Sequence, residues 1–535
     1  MSSTDIKRQP PWRAPNVLDL PAEAGFTAWE HWAWARLLRG LRADMARYPG
    51  DKPAAAEDDL DALYTWIEGE DDGAGDDPST ADDWPEHRIL SDAFLRVVLF
   101  HEPYVSAPEQ PEFEFWGARI DDPLAWDGRQ TRGDLIFSKC RFAKPWAWRG
   151  GHVRGTLNLQ ASHIAASDGA LTFDRLRIDG GFFARDGFVC KGSIRSFGAS
   201  IGGQAAFVDA TLNGDLSAAG ATIHDGLFLR DLTLTGQANL VAVKIGSHLQ
   251  LLGSTIDGEI NLTGATVDGE LHLEQTDPNT RPKWRPGASL ILRNVNAGAL
   301  AGSVDAFKIA TDDGAHGDFI AMDLAGFRYD RIGGLGAKDG ATLAQAKVED
   351  LKAWLRAGSH PETYTPEPYR QLAHALDAAG YPGKAKRILH AMRRYQCDCE
   401  TGRRKLWLSL QGRLIGFGYH NNYAIRWFLA FGAIAMGAGL VLTGHRFDPS
   451  PAGIAEFFQW VWFTIGNGLP LILLDKAHET FLAAQVFPNE PNPDPQKVPV
   501  GLASLFYVQK ILGFVVLTYL AAGLSGLASR EPAAK

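Results

Sequence analysis

The chain is poor in cysteine, with four in 535 residues: Cys140, Cys190, Cys397 and Cys399. So few give no disulfide framework, and the pair Cys397 and Cys399 lacks the spacing of a redox or zinc pair, so it reads as two solvated thiols at a helix end. The start, Met-Ser-Ser-Thr-Asp-Ile-Lys-Arg-Gln-Pro-Pro, has no apolar core of a secretory signal, and a reduced, cytoplasmic setting is expected for the N-terminal part. Net positive charge is missing as well. At a formal charge of -10 the chain lacks the basic face of a general nucleic-acid binder, and no nucleic-acid partner is expected. Cofactor motifs are also absent: no Gly-x-Gly-x-x-Gly opens a helix after a strand, no cysteine cluster suits iron and sulfur, and no Cys-x-x-Cys-His invites haem. No catalytic residue, cofactor or metal ligand is therefore expected.

Glycine is what the chain has in excess, at 57 copies. From Gly133 onward short alternations recur between glycines, as in Gly155-Thr-Leu-Asn-Leu159, Gly246-Ser-His-Leu-Gln-Leu251, Gly258-Glu-Ile-Asn-Leu262 and Gly269-Glu-Leu-His-Leu273. Period-2 alternation makes a short strand with one face inward, and glycine lets the corner take turn conformations. Two units of about eleven residues give a coil of roughly 22, in which each strand pairs with its equivalent one coil away. The expected fold is mainly β with α: a parallel right-handed β-helix over residues 111–335. An up-and-down barrel or sandwich is the alternative, with longer strands and less uniform turns.

Helical patterns flank the repeat. Trp29 to Tyr48 and His87 to Phe100 carry apolar residues at helix spacing, so residues 1–110 read as a helical cap, with a disordered acidic loop near 68–83. Caps are needed because solenoid ends expose unpaired strand edges. After the repeat come Lys347 to Ala357, Pro368 to Ala379 and Lys384 to about Arg394, the last two as a hairpin with Leu372, Ala373 and Leu376 facing Ala385, Ile388 and Leu389. Residues 345–422 form this basic adaptor.

Residues 423–530 read as a membrane domain. Apolar stretches at about 425–443 and 511–528 approach the roughly 20 residues a helix needs to cross a bilayer. The basic run Lys384, Lys386, Arg387, Arg393, Arg394, Arg403, Arg404, Lys405 and Arg413 precedes the first span, which keeps the large N-terminal part in the cytoplasm. Arg393, Arg394, Arg403, Arg404 and Lys405 are the candidate lipid head-group contacts. The middle stretch, 454–474, is interrupted by Gly466-Asn-Gly-Leu-Pro470 and reads as re-entrant or interfacial, with Phe457, Phe458, Trp460, Trp462 and Phe463 at head-group level. Thr464, Gly466, Asn467, Gly468 and Pro470 could alternatively line an oligomeric pore through backbone carbonyls, although Asn467 replaces the aromatic that braces a potassium-type filter.

Other constellations have plainer readings. His224, His248 and His272 lie at different distances from their nearest glycines and read as scattered surface histidines. Asp257-Gly-Glu259 and Asp268-Gly-Glu270 are ordinary corner chemistry, since the calcium-stacking nonapeptide is missing. Acidic residues outnumber basic ones about two to one between Gly155 and Asp277, which suits a solvated solenoid surface.

The order of Phe137-Ser-Lys-Cys-Arg-Phe142, the Gly-x-Leu-x-Leu units, Gly326-Phe-Arg-Tyr-Asp-Arg-Ile332, Pro366-Glu-Pro-Tyr-Arg-Gln-Leu-Ala373, Gly416-Phe-Gly-Tyr419 and Leu469-Pro470-Leu471 resembles a family of bacterial pentapeptide-repeat-like membrane proteins. The resemblance runs from about residue 87 onward, and the units near eleven residues depart from the strict pentapeptide. It implies a multi-pass protein of the bacterial inner membrane. Some members are named membrane-associated oxidoreductase, which would imply a cofactor. The leading expectation is a membrane-anchored scaffold with no evident catalytic site, whose partners are the lipid bilayer, a protein on the solenoid face and further copies of the chain. A two-span pore and an oxidoreductase are the alternatives.

Overall fold

The structure, a computed structural model, describes the chain apart from residues 1–17, 49, 51–76, 109, 276, 312–315, 335–341, 360–363, 419–420, 445–449, 470–474 and 525–535. It divides into two compact units, residues 1–385 and 386–535.

The first unit is built on a parallel β-solenoid of about nine turns, flanked by helical segments. Each coil is four-sided, and each side is a strand that is often only two residues long. Four ladders result. One stacks Phe113, Leu135, Leu157, Phe182, Ala205, Leu227, Leu249, Leu271 and Leu300. The next stacks Ile120, Phe142, Ile164, Cys190, Leu212, Leu234, Ile256 and Trp284. The third runs from Leu124 through Trp146, Leu171, Ile194, Leu216, Ala238 and Ile260 to Leu290. The fourth runs from Thr131 through Val153, Ile178, Ile201, Ile223, Ile245, Val267 and Ala297 to Tyr329. All of these side chains are buried.

Stacking is what makes such short strands stable. Burying one Leu or Ile contributes about 1.5–3 kcal/mol, while ordering each residue's backbone costs about 1–2 kcal/mol. A lone coil, with half its strand residues turned to solvent, has no surplus. Piled coils give every inward side chain apolar neighbours above and below and every strand two hydrogen-bonded partners.

The repeat glycines act differently from the turn role expected of them. A Cβ on Gly214 would lie 2.5 Å from the carbonyl carbon of Gly192, one on Gly236 2.5 Å from that of Gly214, and one on Gly258 2.2 Å from the oxygen of Gly236. They form a column in which backbone touches backbone. The left-handed corners stand elsewhere, at Asp186, Asp209 and Asp231 along one edge and at Gly198, Gly220 and Ala242 along another. Two corners of the coil therefore need close approach and two need positive φ.

Both ends are covered. At the first coil, Ala43–Asp44 pairs in parallel with Phe115–Trp116, so a strand as well as helices closes this edge. Helix α1 (Ala28–Leu38) opens with a capping box between Thr27 and Glu30 and ends before Gly40, which has φ 67°, so the helix expected to reach Tyr48 is shorter. The buried Glu30 carboxylate also accepts from the N–H and hydroxyl of Ser91, which caps helix α2 (Asp92–Phe100). Pro78–Asp83, expected in a disordered acidic loop, is a 3-10 helix docked on the solenoid: Arg141 donates to the carbonyls of Pro78 and Ser79 and pairs with Asp82 at 2.8 Å. The rest of that loop, 68–76, lies outside the described residues. At the last coil, helix α3 (Val348–Ala357) is followed by Gly358, whose carbonyl accepts from Leu324 N–H. Helix α4 (Glu367–Ala378) packs on Arg328–Ile332, with Gln371 Nε2 donating to Tyr329 O.

Helix α5 (Pro382–Cys399) carries the chain across the boundary between units. The second unit then holds α6 (Gly402–Ile415), α7 (Asn421–Thr443), α8 (Pro451–Gly468), α9 (Asp475–Val486) and α10 (Val500–Leu524). Its core is Ala435, Trp460, Phe463, Leu482, Ala483, Val498, Leu502 and Phe506. The second apolar helix starts at Val500, eleven residues before the apolar run read from sequence, and α8 runs unbroken through Gly466 and Gly468 before it stops at Leu469.

Candidate functional site

Two helices are long and apolar enough to cross a membrane, over Ile425–Thr443 and Val500–Thr518. They are not buried core helices: only 11% of the first stretch and 22% of the second is enclosed. Ile434, Val441 and Leu442 on α7 and Ile511, Phe514 and Val515 on α10 are all exposed. So contiguous an apolar surface marks an interaction with lipid or with another protein.

Between these helices α8 brings the residues singled out from sequence into one polar knot. Asn467 Nδ2 donates to the carbonyl of Phe506 at 2.8 Å and to Gln509 Oε1 at 3.1 Å. Gln509 Nε2 donates to the carbonyl of Thr464 at 2.8 Å, and Thr464 Oγ1 donates to the carbonyl of Trp460. A Cβ on Gly513 would lie 2.0 Å from Gly468 O, so two glycine backbones touch where α8 crosses α10. Thr464, Gly466, Asn467 and Gly468 are buried in this contact, and Pro470 lies outside the described residues. Gln509, the partner of both Thr464 and Asn467, was missed because it interrupts an apolar run and read as the edge of a loop.

The basic run resolves into separate roles. Arg404 pairs with Glu400, four residues before it, at 3.2 Å, Arg393 donates to Gln396 Oε1, and Arg403 and Lys405 are exposed. Arg394 instead lines an open cavity of about 680 Å³ with Arg413, Arg426, His390, Tyr423 and Trp427. Trp427 Nε1 donates to the carbonyl of Arg413 at 3.2 Å, which holds α7 to α6, and the Arg426 guanidinium stands 5.9 Å from the Tyr423 ring centre. Arg426 and Trp427 were not anticipated. The available signal was a lone arginine beside aromatics at the very start of an apolar helix.

The solenoid holds a buried polar cluster near its last coils. The Glu270 carboxylate, 1% exposed, has Arg331 at 3.6 Å, His272 Nδ1 at 3.9 Å and His248 Nδ1 at 4.0 Å. Glu270 N–H donates to His248 Nδ1 at 3.1 Å. Beside it Glu274 accepts from Arg281 Nε at 2.6 Å and from Ser303 N–H at 2.9 Å. Burial pulls the His272 imidazole below the ordinary histidine range, with the Glu270 charge opposing this. Two of the three histidines read as scattered are thus neighbours, whereas His224 faces the carbonyl of Ile201. No group of three His, Cys, Asp or Glu side chains among the described residues is arranged to hold a metal ion. Cys140 and Cys190 point into the lumen, and burial pushes both thiols up to about 12, so neither is a reactive thiolate at neutral pH.

In comparisons with known proteins, no family model, no curated protein and no solved structure matches this chain.

Proposed function

We propose that the protein is a membrane-anchored β-solenoid scaffold. The observation that carries this reading is the presence, in one chain, of an end-capped nine-turn solenoid and two helices with exposed apolar faces long enough to span a bilayer. The solenoid offers a long exposed surface of repeated coils, which suits docking of another protein along them. The basic residues before α7 and the scarcity of Lys and Arg between α7 and α10 support a cytoplasmic solenoid at a bacterial inner membrane, with both helices crossing. The knot of Thr464, Asn467 and Gln509 fixes α8 against α10 and so sets the shape of the anchor.

The exposed column Asp186, Asp209 and Asp231 is the stretch of docking surface most easily altered. Asparagine tolerates positive φ, so Asp→Asn at all three removes charge and keeps the corner. Chemical crosslinking in intact membranes, followed by purification of the full chain, should give a defined crosslinked partner that the triple variant loses. No crosslinked species beyond the chain itself, with the chain in the membrane fraction, would sink the scaffold reading.

A further inference from the structure

We propose that the cavity between α5, α6 and the start of α7 is a binding site for the phosphate of an anionic phospholipid headgroup. The inference deepens the reading above and rests on α7 crossing the bilayer. Arg394, Arg413 and Arg426 converge on one cavity from three helices, and Asp398 is the single carboxylate among its lining residues. Among the described residues none of the three guanidinium groups makes a hydrogen bond or ion pair. Other arginines of the chain have carboxylate partners, as Arg404 with Glu400, Arg281 with Glu274 and Arg119 with Asp121. Three unpaired guanidinium groups at one cavity form an anion site, because each fork matches two phosphate oxygens.

Position identifies the source of the phosphate. Arg426 and Trp427 lie in the first turns of the apolar helix, so a bilayer crossed by α7 places its head-group layer at this cavity. Tyr423 and Trp427 are the amphipathic aromatics that favour that depth. Helix α6, which forms one wall, exposes Leu406, Trp407 and Leu410 beside Arg403 and Lys405, the pairing of an interfacial helix with lipid below and headgroups beside it. At about 680 Å³ the cavity has room for a glycerophosphate.

The test is native mass spectrometry of the full chain in detergent, titrated with phosphatidylglycerol, with phosphatidylcholine and with free glycerol 3-phosphate. The wild type should retain phosphatidylglycerol at least about tenfold better than phosphatidylcholine, and the double variant Arg413→Gln, Arg426→Gln should lose that preference. The control Arg230→Gln, Arg356→Gln, at two exposed arginines of the first unit, should keep it. Where the double variant does not unfold cooperatively, the exposed Arg426→Gln alone should cost about tenfold. Equal retention of the two lipids by the wild type, or a full preference in the cavity variants, overturns the site. Equal competition by glycerol 3-phosphate overturns its assignment to lipid. A chain that resists alkaline carbonate extraction yet shows no headgroup preference disproves only the cavity, whereas release by carbonate disproves the span on which it rests.

Discussion

A single methyl group is enough to distinguish the two kinds of corner in this solenoid. Gly236→Ala would place a Cβ 2.5 Å from the Gly214 carbonyl carbon and oxygen, backbone atoms that cannot swing aside, and should lower stability by about 1–3 kcal/mol. Asp209→Asn, at a left-handed corner with open surroundings, should change stability by less than about 0.5 kcal/mol. Thermal unfolding of the full chain checks both, and equal shifts would contradict the column of touching backbones. The buried histidines give a second residue-scale expectation. His272 and His163 both titrate below the ordinary range, in each case mainly through burial. The unfolded chain therefore binds more protons just below the unperturbed value of about 6.5, so stability is complete above that window and falls as pH drops through it. His272→Gln should flatten the dependence of the unfolding temperature on pH below that value; an unchanged slope would remove His272 from the account. The histidine pair could not be read from glycine spacing because Gly246 and Gly269 are not equivalent. Gly269 pairs with Ser247, which sets Glu270 beside His248 and His272 beside Gln250. Counting from the wrong glycine shifted the phase by one residue.

Among the elements, those with a strong period were legible and those fixed by tertiary contact were not. The coil length and the inward Leu, Ile and Val positions follow from alternation alone, and the ladders place them as expected. The two-residue strand Ala43–Asp44 has no period to read and exists because the first coil needs a partner. Pro78–Asp83 looked too polar to order, yet Arg119 and Arg141 supply the donors its carbonyls need. Helix α10 looked shorter than it is because Gln509 and Lys510 interrupt its apolar run, and Gln509 is buried by its bonds to α8. Asn467→Leu leaves the Gln509 side chain buried with one partner fewer and should destabilise the second unit by about 1–3 kcal/mol. Thermal unfolding of the chain in lipid nanodiscs measures this. A neutral result would mean that the knot does not hold α8 to α10.

For the whole molecule, architecture was far more readable than function. Glycine and leucine spacing defines a solenoid and long apolar stretches define two helices, but neither names a docked partner. The cavity was hidden because Arg394, Arg413 and Arg426 lie on three helices with no common spacing. The central claim is that α7 and α10 hold the solenoid at a membrane. It is tested most directly by alkaline carbonate fractionation of cells expressing the full chain. The account predicts that the wild type stays in the membrane pellet, and that paired substitutions Leu429→Arg and Ile511→Arg on the exposed apolar faces release it. A wild-type chain found folded in the carbonate supernatant would contradict the account.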